Sequence, residues 1–147
     1  MGFFSSFDVS ASALTAERLR MDVISANVAN AQSTRTETGD VYRRRLVVYR
    51  PASYAPSFAQ ILAGLQGDKA AVSGVRVDKI VEDNSDFRRV YEPGHPHADE
   101  QGYVTYPNVD VIREMVDMIG AVRAYEANAA VIQAGKTMAQ SALQIGR

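Results

Sequence analysis

The chain has 147 residues and a formal net charge of −1, with 46% hydrophobic and 22% charged residues. This composition is typical of a globular protein rather than a disordered one, and the near-neutral charge excludes an overall field that would attract nucleic acid or anionic lipid. The chain contains no cysteine, which excludes disulfides, thiol catalysis and cysteine-based zinc sites. Because no run of about 18 apolar residues is present, we expect no membrane span.

The N-terminal segment, residues 1–32, carries apolar side chains at intervals of seven. The repeating residues are Phe7, Leu14, Met21 and Val28, and Ile24 widens the same face. A seven-residue repeat places side chains on one stripe of a helix, as at a seam between packed helices. The segment is therefore predicted to be a helix that ends near Asn27 and Asn30, where asparagine tolerates a left-handed backbone.

The middle of the chain, residues 33–107, is polar, is interrupted by glycine and proline, and carries strand patterning. Strands are predicted at 41–50, 75–81, 87–91 and 103–106, where β-branched and aromatic residues cluster. Apolar residues at helical spacing between 58 and 65 favour a short amphipathic helix or an ordered loop. The middle is therefore predicted to be a small β-rich module between two helical segments, which makes the fold class α+β.

The C-terminal segment, residues 108–147, carries the clearest helical pattern. One row repeats every seven positions at Val111, Met118, Tyr125, Ile132 and Ala139, and a companion row four residues on contains Met115, Val122, Ala129 and Leu143. Tyr106–Pro107 favours extended backbone before the helix, and Asn108 then fits the N-cap. A helix that is this long and apolar on several faces needs several packing partners.

We expect the two terminal helices to form a coiled-coil core and to offer their remaining apolar faces to other copies or other proteins. The residues predicted to pack subunits, with the N-terminal five pairing with the C-terminal seven, are Phe7, Leu14, Met21, Ile24, Val28, Val111, Met115, Met118, Val122, Tyr125, Ile132 and Leu143. Four asparagines are predicted either to fix the register of the packed helices, as a lone buried amide can, or to cap helix ends. They are Asn27, Asn30, Asn108 and Asn128.

Candidate sites for chemistry are few. His95 and His97, with Asp99 and Glu100, are residue types that bind zinc, but a proline separates the only two histidines, so a turn is the favoured interpretation. The basic run 43–45 is too small for nucleic-acid binding and is interpreted as a solvated strand face or a polar contact with a partner subunit. We predict no catalytic residue, no metal ligand and no cofactor.

Two stretches resemble a known family. Residues 19–31, LRMDVISANVANA, resemble the N-terminal signature of bacterial flagellar rod, hook and related axial proteins. Residues 90–118, VYEPGHPHADEQGYVTYPNVDVIREMVDM, and the AYEAN run at 124–128 resemble proximal-rod members of the same family. The resemblance covers both predicted terminal helices and the end of the middle module.

The resemblance implies a structural, non-enzymatic subunit of the proximal rod, the drive shaft that crosses the bacterial periplasm and transmits torque. In that family the terminal helices pack between subunits around the export channel. The implied partners are copies of the chain, other rod proteins, the type III export apparatus that exports the chain from the cytoplasm without a cleaved signal peptide, and the base ring and surrounding rings.

The terminal helices are then expected to form fully only on assembly, because an unburied apolar helix does not offset its ordering entropy. Neither nucleic-acid binding nor membrane insertion is expected. The alternative function is a soluble coiled-coil adaptor that binds a single partner. A third, less favoured, is a small metallohydrolase that uses His95 and His97.

Overall fold

The computed structural model describes residues 3–36, 39–52 and 74–145. Two long helices flank four short strands, in the order α1 (Phe3–Ala29), β1 (Arg45–Pro51), β2 (Val75–Glu82), β3 (Arg88–Tyr91), β4 (Tyr103–Tyr106) and α2 (Val111–Ile145). This arrangement confirms the predicted α+β class, with helical termini and a small β-rich middle. The helix or loop considered between 58 and 65 lies outside the described residues. Neither helix, over its described length, is long and apolar enough to cross a membrane.

The two helices form an antiparallel pair. Asn27, near the end of α1, contacts Glu114, near the start of α2, whereas Phe7, near the start of α1, lies against Gly135 in the second half of α2. Helix α1 contains neither glycine nor proline, so nothing in its interior interrupts the backbone hydrogen bonds. Helix α1 also packs on β1 and β2, and it therefore joins the helix pair to the β-rich module.

The strands form two separate antiparallel pairs. In the first pair, Leu46 of β1 lies opposite Val81 of β2, and the register shifts between Val48 and Tyr49. Such a shift is typical of a β-bulge, which bends the strand locally. In the second pair, β3 and β4 form a hairpin in which the backbones of residues 88–91 and 103–106 pair in register.

The turn of the β3–β4 hairpin is organised by Asp99 and Gly102. The Asp99 carboxylate accepts backbone hydrogen bonds from Tyr103 (2.8 Å) and Gln101 (2.9 Å), and these bonds lower the pKa of Asp99. Gly102 has φ of +81°, a conformation that favours glycine because a Cβ would be strained there. Both residues thus have a local reason to lie in this turn.

The start of α2 differs from the prediction, because Asp110 rather than Asn108 is the N-cap. The Asp110 carboxylate accepts a hydrogen bond from the backbone N–H of Ile112 (3.0 Å), and a negative charge is favoured at this end of a helix. Asn108 is already engaged, since its Oδ1 accepts the Arg44 N–H (2.8 Å) and its Nδ2 donates to the Asp83 carbonyl (2.9 Å). It therefore links the strand module to the approach of α2.

Candidate subunit interface

The residues of α2 that face α1 recur every seven positions. They lie on a different row from the companion row that was predicted next to the row of Val111 and Met118. The buried residues of α2 are Glu114, Ala121 and Gly135. The half-buried Asn128 completes this row. Because Gly135 has no side chain, the Phe7 ring can lie directly on the helix backbone, where a Cβ would come within 2.6 Å of Phe7 Cζ.

The predicted companion row is exposed instead. Met115 is 57% exposed and Leu143 is 76% exposed, and Val122 also faces solvent. In the single chain these three residues therefore lie outside the buried row, and their predicted pairing with the N-terminal helix residues stays a prediction. The two rows of a helical seam are separated by alternating steps of three and four residues, and the structure uses the step of three from Val111 to Glu114. That the three residues pack other subunits stays a prediction.

The other predicted packing residues occupy the seam or its margins. Ile24 is buried, and Tyr125 is more exposed than the others. The half-buried residues are Phe7, Leu14, Met21, Val28, Val111, Met118 and Ile132. These positions agree with the placement of one stripe of α1 against α2.

The rest of α2 presents a large apolar surface to solvent, which we name the outer face. Its residues are Ile112, Met115, Val116, Ile119, Val122, Val131, Met138, Leu143 and Ile145. A large exposed apolar area is unusual on a protein that works alone and marks a place where another molecule binds. The outer face is therefore the candidate interface of this chain.

A buried polar cluster lies at the base of the helix pair, and Asn27 is its only member that the sequence singled out. It consists of Asn27, Tyr42, Arg44 and Glu114, and we name it the Glu114 cluster. Glu114 is 1% exposed, and both Nε and Nη2 of Arg44 lie 2.6 Å from its Oε1. The Arg44 guanidinium also lies 3.3 Å from the carboxylate of Asp117. Such pairing is required because an uncompensated charge is costly to bury.

Asn27 joins three parts of the chain within this cluster. Its Nδ2 donates to Glu114 Oε2 and to the Arg45 carbonyl, and its Oδ1 accepts from the Arg45 N–H and the Tyr42 hydroxyl, all at 2.9 Å. A side-chain amide has two donor hydrogens and two acceptor lone pairs, so all four positions are used. This geometry ties α1 to β1 and α2, and the role of Asn27 in fixing the register of packed helices stays a prediction.

Asn30 and Asn128 make simpler contacts. The Nδ2 of Asn30 donates to the carbonyl of Ala26, and the Nδ2 of Asn128 donates to the carbonyl of Ala124, both at 2.8 Å. The Asn128 bond lies within α2, whereas Asn30 directly follows the last residue of α1. The Asn30 side chain adds a second donor to the Ala26 carbonyl, which also accepts the Asn30 backbone N–H (3.1 Å), and no non-glycine residue described there has a left-handed backbone. Any role of Asn128 in packing stays a prediction.

The electrostatics of the cluster keep Tyr42 a neutral hydrogen-bond donor. Burial raises the pKa of the Tyr42 phenol, Arg45 partly offsets this effect, and the Glu114 carboxylate raises the pKa further. At the edge of the cluster, Asp83 lies 3.8 Å from Arg44, and a backbone hydrogen bond from Ser85 lowers the pKa of Asp83. The carboxylates around Arg44 are thus held in place by contacts with neighbouring residues.

Two signals in the sequence could have located this cluster. One is the run Arg43–Arg45 at the start of a strand, and the other is a glutamate within an apolar heptad face. Neither interpretation given for the basic run applies to Arg44, because its side chain is 13% exposed and pairs within its own chain. Arg43 instead lies over the ring of Phe87, 4.3 Å from its centroid.

The candidate metal ligands lie in the turn between β3 and β4. His97 donates its backbone N–H to His95 Nδ1 (3.1 Å), and its own Nδ1 lies 2.8 Å from the Thr34 hydroxyl. Within residues 3–36, 39–52 and 74–145, no three histidine or acidic side chains come together as a metal-binding group. The turn interpretation describes this segment.

Two protein-family models match the N-terminal and C-terminal parts of the chain, which contain the two helices. A family model described as "Flagella basal body rod protein" matches residues 7–35, and one described as "Flagellar basal body rod FlgEFG protein C-terminal" matches residues 100–145. A flagellar basal-body rod protein FlgC from Bacillus subtilis (strain 168) is 47% identical across the full length of both chains. The chain belongs to the FlgC family. The resemblance inferred from residues 19–31 and 90–118 is thereby confirmed.

Other FlgC relatives match over almost the same extent. The protein from Borreliella burgdorferi is 45% identical over 99% of this chain and 98% of its own length. The protein from Escherichia coli O6:H1 is 39% identical across both full chains. In this FlgC-family chain the two matched ranges meet at the Glu114 cluster, because one contains Asn27 and the other contains Glu114.

Proposed function

We propose that this chain is a structural subunit of the bacterial flagellar rod and that it packs against neighbouring rod subunits through the outer face of α2. The single observation that carries this proposal is the exposure of large apolar residues along the whole helix. Membership of the FlgC family, whose relatives carry the name of basal-body rod proteins, supports the identity of the assembly.

The outer face exposes large apolar side chains to water, which is unfavourable in free energy. Ile112 is 77% exposed, and Val116 and Ile119 follow on the same side one and two turns later. The helix of a monomer is expected to be polar where it faces solvent. Full burial of one such side chain contributes about 1.5–3 kcal/mol to the free energy of association. A neighbouring subunit that buries several of them therefore offsets much of the entropy that is lost on association.

The second half of α2 is also nearly free of charge. Between residues 127 and 145 the only charged side chain is Lys136. Small residues alternate with the large ones there, including Ala129, Ala134 and Ala142. A helix of this composition suits close packing among other helices, since charged groups are depleted at the centres of stable interfaces.

The same proposal includes the finer features implied by the family. The chain is placed in the proximal rod, where subunits polymerise around the export channel and transmit torque as a shaft across the periplasm. It is made in the cytoplasm and exported by the type III apparatus without a cleaved signal peptide. The base ring and surrounding rings are further partners, and the chain acts without catalysis.

The test replaces one outer-face residue by a charge. Ile119→Asp, expressed in place of the native chain, is expected to abolish incorporation into isolated basal bodies and to stop swimming, because it would bury an unpaired carboxylate between subunits. The matched control is Asn84→Asp, which adds the same charge on an exposed turn between β2 and β3 and is expected to support swimming.

Circular dichroism of both purified variants checks that the single chain is unaltered. Normal incorporation of Ile119→Asp would contradict the proposal. A soluble oligomer of fixed size in place of rod incorporation would support the adaptor alternative, and sedimentation of the purified chain measures it.

A further inference from the structure

The outer face of α2 has a counterpart on the β3–β4 hairpin. Among the described residues outside α2, the large apolar side chains that lie exposed are Ile80, Tyr91 and Tyr103. We propose that the two tyrosines of one copy pack on the outer face of a second copy, at the exposed Gly120. This inference rests on the proposed function and names the surface that covers part of the outer face.

The two tyrosines lie on one face of the hairpin. Tyr91 of β3 is directly opposite Tyr103 of β4, and their rings meet edge to face with centroids 5.3 Å apart. Alternate residues of a strand share a face, so Arg89 lies beside them, with its guanidinium carbon 5.2 Å from the centroid of the Tyr103 ring. We name these three residues the tyrosine face. Tyrosine and arginine are enriched among the few residues that dominate binding at interfaces.

The tyrosine face is held in position within the single chain. A Cβ at Gly102 would lie 2.8 Å from Tyr91 Cε2, so the Tyr91 ring packs on the bare backbone of the turn. The Nη2 of Arg89 donates to the Asp99 carboxylate (2.6 Å). Side chains that are already fixed lose little conformational entropy on binding. Because Tyr91 is still 63% exposed, most of its surface remains available to a partner.

The hairpin makes no contact with α2 of its own chain. Among the described elements, neither β3 nor β4 packs on a helix or on the β1–β2 pair. An isolated two-stranded hairpin is marginally stable in water, so a surface that covers the tyrosine face also stabilises the hairpin. Since α2 of the same chain does not provide that surface, α2 of a second copy is the occupant that we assign.

Gly120 gives an aromatic ring a place to lie on α2. It is exposed, and a Cβ there would meet no atom within 4 Å. Glycine is unfavourable inside a helix, and it allows another group to approach the backbone closely. The other glycine of α2, Gly135, is used in this way within the chain, because the Phe7 ring lies on its backbone. A ring from a second copy fits Gly120 in the same manner, beside the exposed Val116 one turn before it.

Contact between two different surfaces suits a subunit that assembles in many copies. Two outer faces that bound each other would be related by two-fold symmetry and would close as a dimer, whereas a head-to-tail contact repeats from copy to copy. The charges at the rim agree with this contact. Glu100 is exposed in the hairpin turn, and Arg113 and Arg123 are exposed before and after Gly120 on α2.

Because the chain contains no cysteine, two introduced cysteines report the contact directly. Thr105→Cys lies opposite Arg89 on the hairpin, and Val116→Cys lies one turn from Gly120. Isolated basal bodies that carry both changes, treated with a short bifunctional maleimide, are expected to give a ladder of dimers and larger species on denaturing gels. Asn84→Cys with Val116→Cys is the matched control and is expected to give no ladder. Incorporation of the Thr105 and Val116 variant without a ladder would overturn the proposal.

A second variant decides the question where the cysteine pair does not enter basal bodies. Gly120→Leu fills the open space at the glycine without adding a charge. It is expected to lower the amount of chain in isolated basal bodies at least about tenfold, as loss of a dominant contact does. Thermal unfolding of the purified chain is expected to show no loss of stability, because leucine favours a helix more than glycine does. Normal incorporation of Gly120→Leu would overturn the placement of the ring.

The ring itself is tested by two changes at Tyr91. Tyr91→Ala removes the ring and is expected to lower incorporation about tenfold, whereas Tyr91→Phe keeps the ring and is expected to incorporate normally. Equal incorporation of the two variants would overturn the role of the ring. The result for Ile119→Asp is independent of these changes. If that variant alone failed to incorporate, the proposed function would stand and the contact with the hairpin would be rejected.

Discussion

The base of the helix pair and its far end pack the same two helices with different chemistry. At the base, buried hydrogen bonds and an ion pair connect Asn27, Arg44 and Glu114. At the far end, the Phe7 ring lies on the bare backbone of Gly135. Polar networks require one geometry to satisfy every partner, whereas apolar contacts are non-directional. The base therefore fixes the relative position of the two helices, whereas the contact between Phe7 and Gly135 imposes no comparable geometry.

The two ends also differ in what they position. The β-rich module reaches α2 through the segment that contains Tyr42 and Arg44, so its position follows from the base of the pair. The outer face lies along α2 and extends into the end that the cluster does not hold. Variants at the two ends can therefore separate the two roles.

Loss of the buried ion pair at the base of the helix pair is expected to destabilise the chain most. Arg44→Met leaves the Glu114 carboxylate buried without its charged partner and is expected to lower the free energy of unfolding by about 3–5 kcal/mol. Urea unfolding followed by far-ultraviolet circular dichroism measures this loss.

The matched control for that change is Arg50→Met. Arg50 pairs with Asp78 at 3.0 Å, but these side chains are 49% and 34% exposed, so the expected loss is about 0–1 kcal/mol. Similar losses in the two variants would mean that burial does not distinguish the two ion pairs, and the contrast between the ends would fail.

A pair of glycine substitutions tests the packing at the far end of the helix pair. Gly120→Ala adds a Cβ that meets no atom within 4 Å and is expected to stabilise α2 by about 1 kcal/mol through helix propensity. Gly135→Ala forces the Phe7 ring aside and is expected to be less favourable than Gly120→Ala by about 1–3 kcal/mol. Hydrogen exchange of α2 amides measures both changes, and equal effects would show that Phe7 does not pack on Gly135.

The smallest effect concerns the start of α2. Asp110→Ala removes the N-cap acceptor and is expected to lower the free energy of unfolding by about 1 kcal/mol. Asp110→Asn retains a side-chain oxygen at that position and is expected to keep most of the stability. Thermal unfolding compares the two variants, and an unchanged melting temperature in Asp110→Ala would contradict the assignment of the cap.

Much of the fold was predictable because it depends on local periodicity. Apolar residues at intervals of seven located both helices, and the run from Tyr103 to Tyr106 matched β4 in full. The cap at Asp110 was not predicted, since Asn108 has equal cap chemistry and only its contacts with Arg44 and Asp83 remove it from that role. Choosing between two suitable residues required knowledge of their distant partners.

The candidate interface was partly predictable for the same reason. Helical periodicity distributes the apolar residues of α2 around its axis, so the order of the amino acids alone implies more apolar faces than one partner helix can cover. Which row faces α1 is set by the folded chain, in which Glu114 and Ala121 are buried and Met115 faces solvent. The choice depends on pairing Glu114 with Arg44 and Asn27, residues that are 70 and 87 positions away along the chain, and a local pattern contains no information about such distant contacts.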